Sequence, residues 1–360
     1  MLKSAARTPP RRTNNRRRVY RFASSLVVLT SVLTGGAFLD AASADPVEDF
    51  YRGKTITLSV GFSAGGGYDL HARILARHMG NYIPGNPKII VKNVPGASGL
   101  VLISSLYNTL PKDGTEFATF DRAIPLEPLL DPQVARFDSL KMNWIGSTDS
   151  DASTCFAWHA APVKTFADLL QKQLIVGASG SIGDAVAFPK LSNAVLGTKF
   201  RVISGYPGST ESLLAIERGE IEGFCSMGFS TIETQKPGWL RDKKINVLMQ
   251  FALEKNPDHT DVPLVLDLAK TTKDREALEL IVSPQLFTRP FAAPPGVPPE
   301  RVAALRKAFN DTMASSEYRA EAATRGMHVQ LVKGEEIERV LRHLYTIPKD
   351  TVERVKAAIK

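Results

Sequence analysis

Gly61-Phe62-Ser63-Ala64-Gly65-Gly66-Gly67-Tyr68-Asp69 follows the apolar run Ile56-Thr57-Leu58-Ser59-Val60 and leads into a helix-like pattern, Leu70 to Met79. Two chemistries fit these nine residues. Gly61 to Gly65 matches G-x-S-x-G, the nucleophile elbow of a hydrolase, with Ser63 as nucleophile. Alternatively, three glycines at a helix start form an anion cradle, in which backbone N–H groups face a ligand at the positive end of the helix dipole. An elbow needs strands and an oxyanion loop before it, then an acid and a histidine after it. Here the motif ends the first strand beyond the leader, and none of the six histidines sits in a distinctive late loop with an acidic partner. The cradle is the reading adopted.

The same arrangement recurs. Strand-like KIIVKNV is followed by Pro95-Gly96-Ala97-Ser98-Gly99, QLIVGA by Ser179 to Asp184, and FRVIS by Gly205-Tyr206-Pro207-Gly208-Ser209. Each turn opens a helical pattern. Alternating strands and helices predict α/β layering with largely parallel sheets, in which ligands sit beyond the carboxyl ends of the strands. Two such units precede residue 147 and two follow it, so two lobes are expected, with their turns converging on one cleft.

The chain has 360 residues, enough for two domains with cores of their own. Its net charge of +8 is concentrated in the leader: residues 1–44 hold eight basic residues against Asp40, leaving the rest at +1. The body therefore lacks the basic footprint of a nucleic-acid binder. The leader reads as an export signal: a basic stretch, an apolar run from Phe22 to Leu39, and the cleavage site Ala42-Ser43-Ala44. Arg16-Arg17-Arg18 admits twin-arginine export beside the ordinary secretory route. Cys155 and Cys225 lie in the exported part, either as a disulfide or as two buried thiols. No metal-ligand spacing, phosphate loop or dinucleotide fingerprint is present, and no cofactor is expected. His71 and His78 read as helix-surface residues, and Asp149 and Asp151 as solvated loop carboxylates.

With these turns placed, the chain resembles the solute-binding proteins of tripartite tricarboxylate transporters, the Bug family. The resemblance rests on Phe62 to Asp69 with Ala72-Arg73, on Asn93 to Gly99, on Ala178 to Ser181 and on Gly205 to Ser209. Arg218 to Gly223, Asp261-Val262-Pro263 and Ala293 to Val302 extend it over nearly all of residues 45–360. It implies an α/β, two-lobed type II periplasmic-binding-protein fold with two crossing strands between the lobes, and no enzymatic activity. The expected division is an export signal at 1–44, lobe 1 at 45–147 and 251–335, lobe 2 at 148–250 and a C-terminal helical segment at 336–360. Hinge movement is expected at the crossings, roughly residues 146–157 and 245–252.

The resemblance further implies a small mono- or dicarboxylate ligand. Ser63, Gly66, Gly67, Tyr68 and Asp69, with Asn93, Ala97, Ser98 and Gly99, would grip it from lobe 1. Ser179, Ser181, Gly208 and Ser209 would close from lobe 2. Ser226 stands where many members carry an aspartate that pairs with a ligand amino group. Arg122 either faces the cleft and pairs with a second carboxylate, or forms a surface ion pair with Asp121 or Glu127. Ala64 replaces the usual proline, and Tyr68 narrows or covers the pocket. The implied setting is the periplasm, as a monomer delivering its ligand to membrane permease subunits; a ligand sensor for a membrane receptor is the alternative.

Overall fold

The computed structural model describes residues 45–360. The export signal, its cleavage site and the twin-arginine motif lie outside the described residues.

Among the described residues, eleven strands form two sheets. They are β1 (Thr55–Val60), β2 (Lys88–Asn93), β3 (Glu116–Thr119), β4 (Asn143–Ser147), β5 (Ser153–Trp158), β6 (Leu174–Ala178), β7 (Phe200–Ser204), β8 (Gly223–Gly228), β9 (Ile245–Phe251), β10 (Pro290–Ala293) and β11 (Val332–Lys333). The first sheet has the order β11-β4-β10-β3-β1-β2 and the second β7-β6-β8-β5-β9. The strands that precede or join the glycine turns pair in parallel, β1 with β2 and β3, and β6 with β7 and β8. The expectation of largely parallel sheets holds only there. Strands added where the chain passes between sheets run antiparallel, β10 against β3 and β4, and β5 against β8 and β9. The result is a mixed α/β architecture in two lobes.

Burial follows the pattern of each strand. Ile56, Leu58 and Val60 of β1 are fully buried, as an interior strand covered by helices requires. Phe117, Phe291 and Phe309 pack together behind the first sheet. Phe156, Trp158 and Trp239 do so at the second. The helix Lys349–Ile359 at the C-terminus packs on Asp184–Leu196 and on Thr272–Val282. Lys190 donates to the carbonyl of Ile359.

The chain leaves the first sheet after Ser147 and enters the second at Ser153. That passage is buried, which corrects the reading of Asp149 and Asp151 as solvated: they are 0% and 8% exposed. Residues 288–289 cover them: Thr288 N–H donates to Asp149 O, and Asp151 N–H donates to Thr288 Oγ1. His71 is likewise no surface residue. It is 4% exposed, and its Nδ1 lies 2.9 Å from Thr148 Oγ1, because its helix packs against the crossing. His78 pairs with Glu321 at 2.7 Å. Cys155 of β5 and Cys225 of β8 are joined by a disulfide across adjacent strands.

Candidate functional site

The four glycine turns do meet. Gly61 allows the first two to touch: a Cβ there would stand 2.6 Å from Gly99 Cα. In the second turn Ala97, Ser98 and Gly99 all have positive φ, at 46°, 56° and 95°. Two of the three are not glycine, so local strain is held in place by surrounding contacts. Ser98 is 2% exposed, and its Oγ reaches across the lobes to Ser179 Oγ at 3.0 Å and donates to Ile182 O at 2.9 Å.

The lobes touch closely at two further glycines. A Cβ on Gly180 would lie 2.8 Å from Ala97 Cα, and one on Gly208 would lie 2.4 Å from Ser63 Oγ. Ser63 is tied to the opposite lobe as well: its N–H donates to Pro207 O, and its Oγ donates to Glu211 Oε2 at 2.8 Å. A serine hydroxyl bound to a carboxylate rather than to a histidine has no general base of the hydrolase kind. Ser63 is an interlobe contact.

Between the turns lies a cavity of about 50 Å³. Phe62, Gly66, Gly67, Tyr68 and Asp121 wall it from one side, and Ser179, Gly208, Ser209, Phe224 and Ser226 from the other. The helices Gly67–Met79 and Ser209–Glu217 both begin here, with Gly66 and Gly208 as N-caps and no side chain satisfying their first N–H groups. Such ends favour anions.

Several residues put forward by the sequence are engaged elsewhere. Asp69 accepts from Gly65 N–H, Arg73 Nε and Asn93 Nδ2. Burial raises its pKa, but those hydrogen bonds outweigh burial and hold it below the ordinary carboxylate range. Asn93 also donates to Phe62 O and accepts from Arg73. Asp69 and Asn93 therefore shape the glycine turn rather than wall the cavity. Ala97 and Gly99 serve turn geometry, and the exposed Ser181 borders a separate hollow beside Glu127 and Lys190.

Arg122 fits neither of its expected placements. It is 1% exposed and reaches into the second lobe, where Nε lies 2.5 Å from Asp184 Oδ2 and Nη2 donates to Ser153 Oγ and Ser226 O. Asp121 holds its own loop and the start of the facing helix, accepting from the N–H groups of Ala123 and Asp184. Burial raises the Asp121 pKa. It also raises Asp184 to about 7, with Arg122 opposing the rise and Asp121 adding to it. Burial takes Glu127 to about 7 as well. Asp121 and Asp184 thus gather around one guanidinium, with Glu127 close to both acids.

The sequence reading did not assign several wall residues to the site, Phe224, Thr231 and Arg289 among them, and Arg289 is the one that carries positive charge. Arg289 is 3% exposed and lines the cavity. Its Nη2 donates to Thr231 Oγ1 at 2.8 Å and its Nη1 to Thr288 O at 3.1 Å, while the buried Nε has no hydrogen-bond partner. Among the described residues no carboxylate pairs with it. The guanidinium lies over the Tyr68 ring, which stacks in turn on Phe62 with centroids 4.6 Å apart. Tyr68 OH accepts from Arg122 N–H, and burial raises the Tyr68 pKa. The available signal was a lone charged residue within Phe287 to Ala293, where Thr288 is the one other polar side chain.

A larger hollow of about 730 Å³ opens beside the crossing, near Asp151, Glu233, Glu254, Asp258 and His328. Four acids outnumber Lys255 in its lining, which also holds His259 and His328, and no glycine turn reaches it.

No family model matches the chain. The UPF0065 protein in the gbd 5' region of Cupriavidus necator is 25% identical over 300 residues, covering 81% of this chain and 84% of that one. The structure of the periplasmic binding protein BugD superposes with a TM-score of 0.67 at 18% identity, covering 86% of this chain and 98% of BugD. MatC from Rhodopseudomonas palustris with bound malate gives 0.64 at 19% identity, covering 85% and 99%. These solved neighbours are binding proteins rather than enzymes. The resemblance carried by the glycine turns extends to the whole architecture: the chain has the two-lobed fold of the Bug-type periplasmic solute-binding proteins.

Proposed function

We propose that the chain is an exported, non-enzymatic solute-binding protein that captures a small organic acid between its lobes and presents it to membrane permease subunits. The observation that carries this reading is the convergence of both lobes' glycine turns on one buried cavity at two helix N-termini. Carboxylate binding there needs no catalytic group, and Ser63 is engaged with Glu211. Malate in MatC is in keeping with an organic acid. Among the described residues no helix is long and apolar enough to cross a membrane. The basic leader, apolar run and cleavage site of residues 1–44 support export to the periplasm.

A thermal-shift screen of short carboxylates tests the reading. An acid at a hundred times its Kd adds about 2.7 kcal/mol of stability. A folded, ligand-free protein whose melting temperature no acid raises would refute it.

A further inference from the structure

We infer that Arg289 receives the ligand's carboxylate, and that the site takes a small monocarboxylate and discriminates against dicarboxylates. This rests on the proposed binding function and narrows its ligand.

A buried guanidinium is ordinarily matched by a carboxylate, because an unmatched one loses solvation without return. Arg289 is buried and has none among the described residues; a hydroxyl, a carbonyl and the face of Tyr68 hold it in place. Its Nε is enclosed and unpartnered. The planar fork is therefore fixed at the cavity wall, and each Nη keeps a second N–H beyond those given to Thr288 and Thr231, a donor pair that can bind a carboxylate in two places.

The cavity supplies that charge once. Arg122, the neighbouring buried cation, is consumed by Asp184, Ser153 and Ser226 O. The remaining wall offers Asp121, neutral donors at the serines and the two helix N-termini, and apolar surface such as Phe62 and Phe224, but, among the described residues, no second cation. A second carboxylate would have Asp121 beside it and only neutral donors to offset its desolvation. The fitting class is a small monocarboxylate, one negative charge for the one free cation of the wall.

Isothermal titration of the purified protein separates these outcomes. The probes are propionate, butyrate, lactate and pyruvate against succinate, malate and adipate. At least one monocarboxylate should bind roughly 100-fold tighter than any of the diacids, and Arg289→Met should weaken it by a similar factor. Arg289→Lys, which keeps the charge but not the fork, should fall between and guards against misfolding of the Met variant. Tighter binding of a diacid, or undiminished affinity in a folded Arg289→Met protein, overturns this inference and leaves the proposed function standing. Binding of no acid at all overturns both.

Discussion

The guanidinium carbon of Arg289 stands 4.5 Å from the centre of the Tyr68 ring. Two residues 221 positions apart thus form one surface, a cation laid on an aromatic face that itself stacks on Phe62. The contact joins the first glycine turn to the segment that returns from the second lobe.

Removing the ring should loosen the cation. Tyr68→Ala is expected to cost about 2–3 kcal/mol of stability, less than a fully buried aromatic because the ring is only partly buried, and to weaken acid binding at least tenfold. Tyr68→Phe keeps the stacking and loses only the acceptor for Arg122 N–H, so it should cost about 1 kcal/mol. Urea unfolding and titration calorimetry on the pair measure both effects. Equal losses in the two variants would show that the ring face is irrelevant.

Arg122 and Asp184 tie the lobes through a buried ion pair. Asp184→Ala leaves a buried guanidinium without its acid and should destabilise the protein by about 3–5 kcal/mol. The double variant Arg122→Met/Asp184→Leu should recover most of that loss, because an apolar pair of similar volume carries no stranded charge. Chemical denaturation of the three proteins decides it, and a double variant weaker than the single one would count against the pairing.

Gly180 sets how closely the lobes approach. Its Cβ would strike the backbone at Ala97, which cannot yield as a flexible side chain does. Gly180→Val should prop the lobes apart, enlarging the radius of gyration in small-angle scattering and lowering acid affinity at least tenfold. The melting temperature without acid should fall as well, because holding the lobes apart disturbs the interlobe contacts of Ser63, Ser98 and Arg122. Unchanged scattering and affinity would mean that this contact does not limit closure.

Stability should fall in mild acid through His71. Burial first, then the positive charge of Arg289, pushes its pKa from an ordinary 6.5 to about 3. The folded state therefore binds fewer protons than the unfolded chain between those values, and stability drops as pH falls through that window. It is fully present above about pH 6.5. His71→Gln, which can keep the bond to Thr148, should flatten the decline between pH 6.5 and 4.5. His328 has the opposite sign: its hydrogen bond to Asp149 raises its pKa, so its contribution is present in acid and fades as pH rises past that raised value. Denaturant midpoints across pH for His71→Gln and His328→Gln, each against the unaltered protein, should diverge in these directions; parallel curves would contradict the assignment.

The fold was legible because its signals are local. Each strand, glycine turn and helix start lies within about a dozen residues, and period and glycine placement report them directly. The order of the sheets was less so. Antiparallel β5 and β10 arise from where the chain crosses between lobes, which no local pattern records. The site divided on the same line. Gly66, Gly67, Tyr68, Ser179, Gly208, Ser209 and Ser226 line the cavity, since the turns themselves bring them there. Asp69, Asn93 and Arg122 are polar residues near those turns whose partners, Arg73 and Asp184 among them, become evident only in three dimensions. Arg289 escaped notice because its neighbours Tyr68 and Thr231 are far away in sequence.

The most direct measurement is a crystal structure of the protein grown with the acid that most raises its melting temperature. The acid is predicted in the buried cavity, touching the Gly66-Gly67 turn of one lobe and the Gly208-Ser209 turn of the other. An acid found instead in the acidic hollow near Asp151 and Asp258, or on the outer surface, would contradict capture between the glycine turns.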